Sequence, residues 1–104
     1  MSELWQIFFA LGDPNRLNMI RRLAERGPQS MVRLTEGMEF TRQAGARHVS
    51  VLRDAGLVSV LKQGREQVIS LDRQNLHLTQ MFMRQMEEGW DDRLALLKAQ
   101  VEGD

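Results

Sequence analysis

The chain has 104 residues, 14 Lys+Arg against 14 Asp+Glu, no Cys and 42% hydrophobic residues, for a formal net charge of zero. Such a length and composition support one globular domain spanning 1–104 and exclude a disordered chain, and the lack of Cys excludes disulfides, thiolate metal sites and thiol nucleophiles. No apolar run approaches the ~18 residues of a membrane span, and an N-terminus carrying Glu3 without a basic stretch offers no signal peptide, so a cytoplasmic protein with no membrane partner is expected.

In chain order, residues 3–11 place Leu4, Trp5, Ile7, Phe8, Phe9 and Leu11 on most sides of a short helix. Such a helix needs covering on two faces, by its own core and by a partner. Asp13-Pro14 opens a second helix, with Asp as N-cap and Pro at the first helical position. Leu17, Ile20, Leu23 and Ala24 follow at helical spacing. Gly27-Pro28 ends the helix, with Arg26 at the negative end of its dipole. Ser30 caps a short helix predicted from Met31 to about Met38, burying Met31, Leu34 and Met38. Arg33 stands where a capping box wants Glu. Phe40 anchors a turn, and Thr41 caps a helix from Arg42 to about Ala55. Its apolar positions are Ala44, Val49, Val51, Leu52 and Ala55, and Gly56 ends it.

Leu57–Leu61 and Gln67–Leu71 read as two strands around Gln63-Gly64-Arg65, a hairpin whose polar tip carries Lys62 and Arg65. Asp72 caps a last helix running to about Val101, on the order of 40 Å long. That exceeds the width of so small a domain, so part of it must pack on something outside the monomer. Leu76, Met83, Trp90 and Leu97 recur every seven residues, with Met86, Leu94 and Val101 beside them, as a helix-pairing stripe. Gly89 weakens the middle by roughly 1 kcal/mol relative to Ala and suggests close approach by another helix.

This order describes a mainly α fold with a small β-hairpin wing, a winged helix-turn-helix with a long C-terminal dimerisation helix. Residues 14–71 form the helix-turn-helix core and wing, and 1–12 and 73–102 the dimerisation helices. Charge divides the same way. Residues 1–13 carry a net of −2 and residues 74–104 a net of −3, while 14–73 hold ten Arg and Lys62 against six acids, a net of +5. Arg, twelve against two Lys, makes the planar bidentate contacts to phosphate and guanine that Lys lacks.

Leu11-Gly12-Asp13-Pro14-Asn15-Arg16-Leu17 resembles the L-x-D-P-x-R-x-x-I-L opening of ArsR-type winged-helix repressors. Residues 41–58, Thr41 through Val58, are similar to their recognition segment S-x-x-x-x-S-x-H-L-x-x-L-x-x-A-G-L-V, and Gly64-Arg65-Glu66 to their wing. The resemblance runs from about residue 8 to 73. It implies a homodimeric DNA-binding repressor on a palindromic operator, with helix 41–55 and wing 62–67 on double-stranded DNA. The first helical turn offers Thr41, Arg42 and Gln43, where Arg suits guanine and Gln adenine. Ala46 and Gly45 would let the backbone approach thymine methyls, and Arg47 and His48 reach bases or phosphates. Arg65 is placed to enter a minor groove. Ala46 replaces a family Ser, Gly45 a larger residue, and Glu39 stands where a turn Gly is usual. The implied dimer interface comprises Trp5, Phe8, Phe9, Met83, Met86, Trp90, Leu94 and Leu97.

The Cys-bearing sensor motif of some relatives would fall around Met31–Met38 and is missing. A second sensor pattern on the last helix keeps its spacing at Asn75, His77, Glu88 and Asp91, but with altered ligands that make a poor zinc site. No metal or other cofactor is therefore implied, and no inducer is specified. The mass of Trp5, Phe8, Phe9, Met81, Phe82, Met83, Met86 and Trp90 offers an alternative ligand pocket. A winged helix that binds protein in place of DNA is the competing function. An enzyme is not expected: His48 and Ser50 point apart on one helix, Glu87-Glu88 and Asp91-Asp92 lack a cleft, and there is no Gly-rich phosphate loop.

Overall fold

Each long helix begins at a side chain that satisfies its free N–H groups. The computed structural model describes residues 3–102. Met1–Ser2 and Gly103–Asp104, the outer ends of the expected domain and of its first dimerisation helix, lie outside them. The elements are α1 (Leu4–Leu11), α2 (Pro14–Arg26), β1 (Gln29–Ser30), α3 (Met31–Leu34), α4 (Arg42–Asp54), β2 (Val58–Gln63), β3 (Glu66–Leu71) and α5 (Arg73–Glu102). Asp13 Oδ1 accepts from the N–H groups of Asn15 at 2.9 Å and Arg16 at 3.1 Å. Thr41 Oγ1 accepts from Ala44 N–H at 3.0 Å, and Asp72 Oδ1 from Gln74 N–H at 3.0 Å. Such caps stabilise a helix by about 1 kcal/mol each.

The wing is the expected hairpin, with Val58 opposite Leu71 and Gln63 opposite Glu66. Gly64, at φ 63°, and Arg65 form its two-residue turn. A left-handed first position followed by an ordinary second one fits the II′ turn that hairpin twist favours. A third strand was not expected: β1 pairs with β3 at Gln29–Ile69 and Ser30–Val68, giving the antiparallel order β1-β3-β2. A two-residue strand is too short to show periodicity in sequence.

The core joins Ile7 and Ala10 of α1, Met19, Ile20 and Leu23 of α2, Leu34, Val49, Leu52 and Ala55, Leu57 just before β2, and Val58 and Ile69 of the sheet. Three expectations need correction. The buried stripe of α2 includes Met19, while Leu17 and Ala24 face out. α3 stops at Leu34, not Met38: residues 35–37 form a turn in which Gly37 adopts φ 78°. Met31 and Met38 are consequently only half-buried. The turn's left-handed residue is thus Gly37, so Glu39 imposes no strain.

α5 runs 30 residues and buries none of them fully. It gives the molecule principal extents of 72 × 26 × 22 Å. Among the described residues, no helix is long and apolar enough to cross a membrane.

Candidate nucleic-acid interface

Helix α4 separates two faces by the 3.6-residue period. Gly45, Val49 and Leu52 are buried, and Arg42, Gln43, Ala46 and Arg47 are exposed together with the cap Thr41. The exposed set occupies one side of the first two turns, where the helix dipole is positive. Arg65 is exposed at the wing tip. The structure therefore brings Thr41, Arg42, Gln43, Ala46 and Arg47 together and sets Arg65 on a separate element.

Gly45 is not on that face, contrary to expectation. It is buried, and a Cβ there would lie 2.9 Å from Cε1 of Phe40. The missing side chain admits the Phe40 ring, so the glycine serves packing and not an approach to DNA.

His48 is also half-buried. Its ring tilts against Phe40 with centroids 5.4 Å apart. Its Nδ1 lies 3.3 Å from Arg16 Nη1 and 4.0 Å from Asp13 Oδ1. Arg16 also donates from Nε to Ala10 O at 2.7 Å and from Nη2 to Phe9 O at 3.3 Å. The guanidinium thus closes the C-terminal end of α1. The N–H of Arg16 holds the Asp13 carboxyl below its ordinary range against an opposing burial cost. The N–H of Asn15 and the charges of Arg16 and His48 add to that lowering.

A second arginine is structural. Arg22 Nη1 donates to Leu34 O at 2.9 Å and Glu36 O at 2.7 Å. It fixes the turn that sets α4 against α2. Sequence reading missed both roles. Arg16 lay inside the quoted motif, but a partner six residues back leaves no local pattern; nothing in sequence distinguishes Arg22 from its neighbour Arg21.

The expected dimer residues are exposed: Trp5 at 61%, Phe9 at 62% and Trp90 at 62%, with Phe8, Met83, Met86, Leu94 and Leu97 also open. Phe8 alone among them meets an α5 aromatic, Phe82, with centroids 5.7 Å apart. Among the described residues, the large apolar residues line separate clefts. A cleft of 330 Å³ is lined by Trp5, Gln6, Phe9, Val51, Asp54 and Ala55, and another of 300 Å³ by Leu4, Leu78, Met81, Phe82 and Gln85. A Cβ added at Gly89 would meet nothing within 4 Å beyond its own helix backbone. Asn75 donates through Nδ2 to Ala55 O at 3.1 Å and Gly56 O at 3.2 Å, tying α5 to the end of α4. Among the described residues no three His, Asp or Glu side chains gather as a metal site.

A helix-turn-helix with one polar, arginine-bearing recognition face and a hairpin wing defines a DNA-binding module. Residues 11–60 match a family model described as a helix-turn-helix domain. The chain is 38% identical over 76 residues, 67% of its length and 83% of the relative's, to the HTH-type transcriptional regulator YuzN of Bacillus subtilis (strain 168). An ArsR-like transcriptional regulator from Rhodococcus sp. RHA1 superposes with a TM-score of 0.81 at 32% identity, covering 97% of this chain and 94% of that one. A crystal structure of another ArsR family transcriptional regulator gives 0.80 at 26% identity, covering 88% and 97%. The chain belongs to the ArsR-type winged helix-turn-helix transcriptional regulators. Its relatives and fold are those of transcription regulators, not enzymes.

Proposed function

We propose that the protein is a homodimeric repressor that binds a palindromic operator in double-stranded DNA, in the cytoplasm. The observation that carries this reading is the exposed face of α4: Thr41, Arg42, Gln43, Ala46 and Arg47 share it, and Arg65 is exposed in the wing turn. Arg42 and Gln43 take bases and Arg47 bases or phosphate, while Arg65 enters the minor groove. Pairing of two copies through α1 and α5 covers Trp5, Phe8, Phe9, Met83, Met86, Trp90, Leu94 and Leu97. It also sets two recognition helices about 34 Å apart, one turn of DNA.

The test is selection of bound DNA from a random pool, followed by gel shift with Arg42→Ala/Arg47→Ala. The expected double variant stays folded and dimeric and loses specific binding. Unchanged affinity at physiological salt would sink the assignment. A flat response to salt would point to a protein partner instead, since phosphate contacts make affinity fall steeply with salt.

A further inference from the structure

A cleft of 230 Å³ opens between α3 and the first turn of α4. Met31, Val32 and Thr35 line it from α3 and its C-cap, and Phe40, Thr41 and Arg42 from the turn and the start of α4, together with Gly45. Its threonine hydroxyls are turned to the backbone. Thr35 Oγ1 donates to Met31 O at 2.8 Å, and Thr41 Oγ1 accepts from Ala44 N–H at 3.0 Å. The Thr35 methyl points the other way, 3.5 Å from where a Cβ on Gly45 would stand. The lining is thus largely apolar, with Arg42 as its one charged residue.

Val32 is second in the four-residue α3 and 75% exposed. A β-branched residue adds little to helix propensity, and at this exposure it adds little to the core. One exposed valine is ordinary in itself. This one shares a cleft with Thr41 and Arg42, which also belong to the exposed face of α4. The major groove offers one apolar group, the C5 methyl of thymine, while guanine offers N7 and O6 to arginine. A thymine beside a guanine therefore presents a methyl next to two acceptors. The protein presents the complement, an apolar wall next to a guanidinium.

We infer that this cleft takes the methyl edge of a thymine adjacent to the base read by Arg42, with Val32 as a specificity-determining residue on α3. This rests on the DNA-binding reading above. It extends base readout from α4 and the wing to a third element, whose contribution is a methyl contact and not a hydrogen bond.

The experiment replaces each thymine in one half-site of the selected operator by deoxyuridine, which lacks only the C5 methyl. Affinity of the full chain is measured at fixed salt for wild type and Val32→Ser. Wild type is expected to lose about four-fold at one thymine, the worth of one buried methyl. That thymine should adjoin the position whose preference disappears in Arg42→Ala. Val32→Ser is expected to discriminate less between thymine and uracil there, while its response at other thymines follows wild type. Tolerance of uracil at every position by wild type overturns the proposal. So does discrimination by Val32→Ser equal to that of wild type at every thymine, the pattern expected if Ala46 alone meets the methyl. A readout in the wild-type complex needs no variant: NMR contacts between the Val32 methyls and that thymine methyl are expected. Their absence overturns the proposal even if Val32→Ser fails to fold. Absence of any sequence-specific binding would overturn the DNA reading and the proposal with it, a pattern distinct from specific binding that ignores the thymine methyl.

Discussion

Gly45 and Phe40 are a matched pair: a Cβ on the first would fall 2.9 Å from a ring carbon of the second. Gly45→Ala should therefore lower stability by about 1 kcal/mol through overpacking, despite a gain of up to about 1 kcal/mol in helix propensity. Because Phe40 also packs on His48, the displaced ring would press on that histidine. Urea denaturation checks the sign; a stabilised variant would show that the ring swings aside freely.

Arg22 anchors the helix-turn-helix turn through two backbone carbonyls. Charged hydrogen bonds of this kind are worth about 1.5–3 kcal/mol each. Arg22→Ala should destabilise the domain by at least about that much, whereas exposed Arg21→Ala should stay within about 0.5 kcal/mol of wild type. Equal effects of the two substitutions in thermal unfolding would remove the special role given to Arg22.

The lowered carboxyl of Asp13 makes a stability prediction with a definite sign. A group whose ionisation is favoured in the folded state contributes stability above its unfolded pKa and loses it as pH falls through the folded value. Asp13→Asn keeps a competent cap but removes the charge. The wild type should be the more stable at pH 7, and the gap should close below about pH 4. Urea midpoints at pH 7 and pH 3 decide it: the gap should be narrower at pH 3, and a gap as wide there as at pH 7 would trace to something other than ionisation.

Arg65 lies in the wing turn, on a different element from the α4 face, so its removal should act on a limited part of the operator. Arg65→Ala is expected to weaken binding several-fold and to relax preference for A·T pairs flanking the site, where a narrow minor groove attracts arginine. Repeating the DNA selection with the variant reads this directly. An unchanged flank preference would place the wing away from the groove.

Trp90 is 62% exposed and lies outside the core. Trp90→Ala should leave the monomer's fold intact while weakening self-association ten-fold or more, as loss of a buried aromatic anchor at an interface does. Sedimentation at several concentrations measures it. A dimer as tight as wild type would place the pairing surface elsewhere.

The caps at Asp13, Thr41 and Asp72, the wing and the exposed face of α4 were legible because each depends on local chemistry or a short period. Leu17 misled because apolar spacing fixes a helix but not its rotation by one position, and Met19 served equally well. The inward turn of Gly45 followed from Phe40, a contact across a turn that no helical pattern encodes. Arg16 and Arg22 looked like two more units of a basic surface. Their carbonyl partners come from other elements, so only the folded chain reveals that these charges hold the scaffold together.

The outer half of α5 has a further consequence. Past Phe82 it runs to Glu102 with every residue exposed, and a helix of this length without a supporting surface is marginal in water. Its order is therefore tied to how much of its covering surface is on hand. If that surface is a second copy, helix content should rise on concentrating the protein, and the regulator's abundance would set the fraction of molecules able to present two recognition helices one turn of DNA apart.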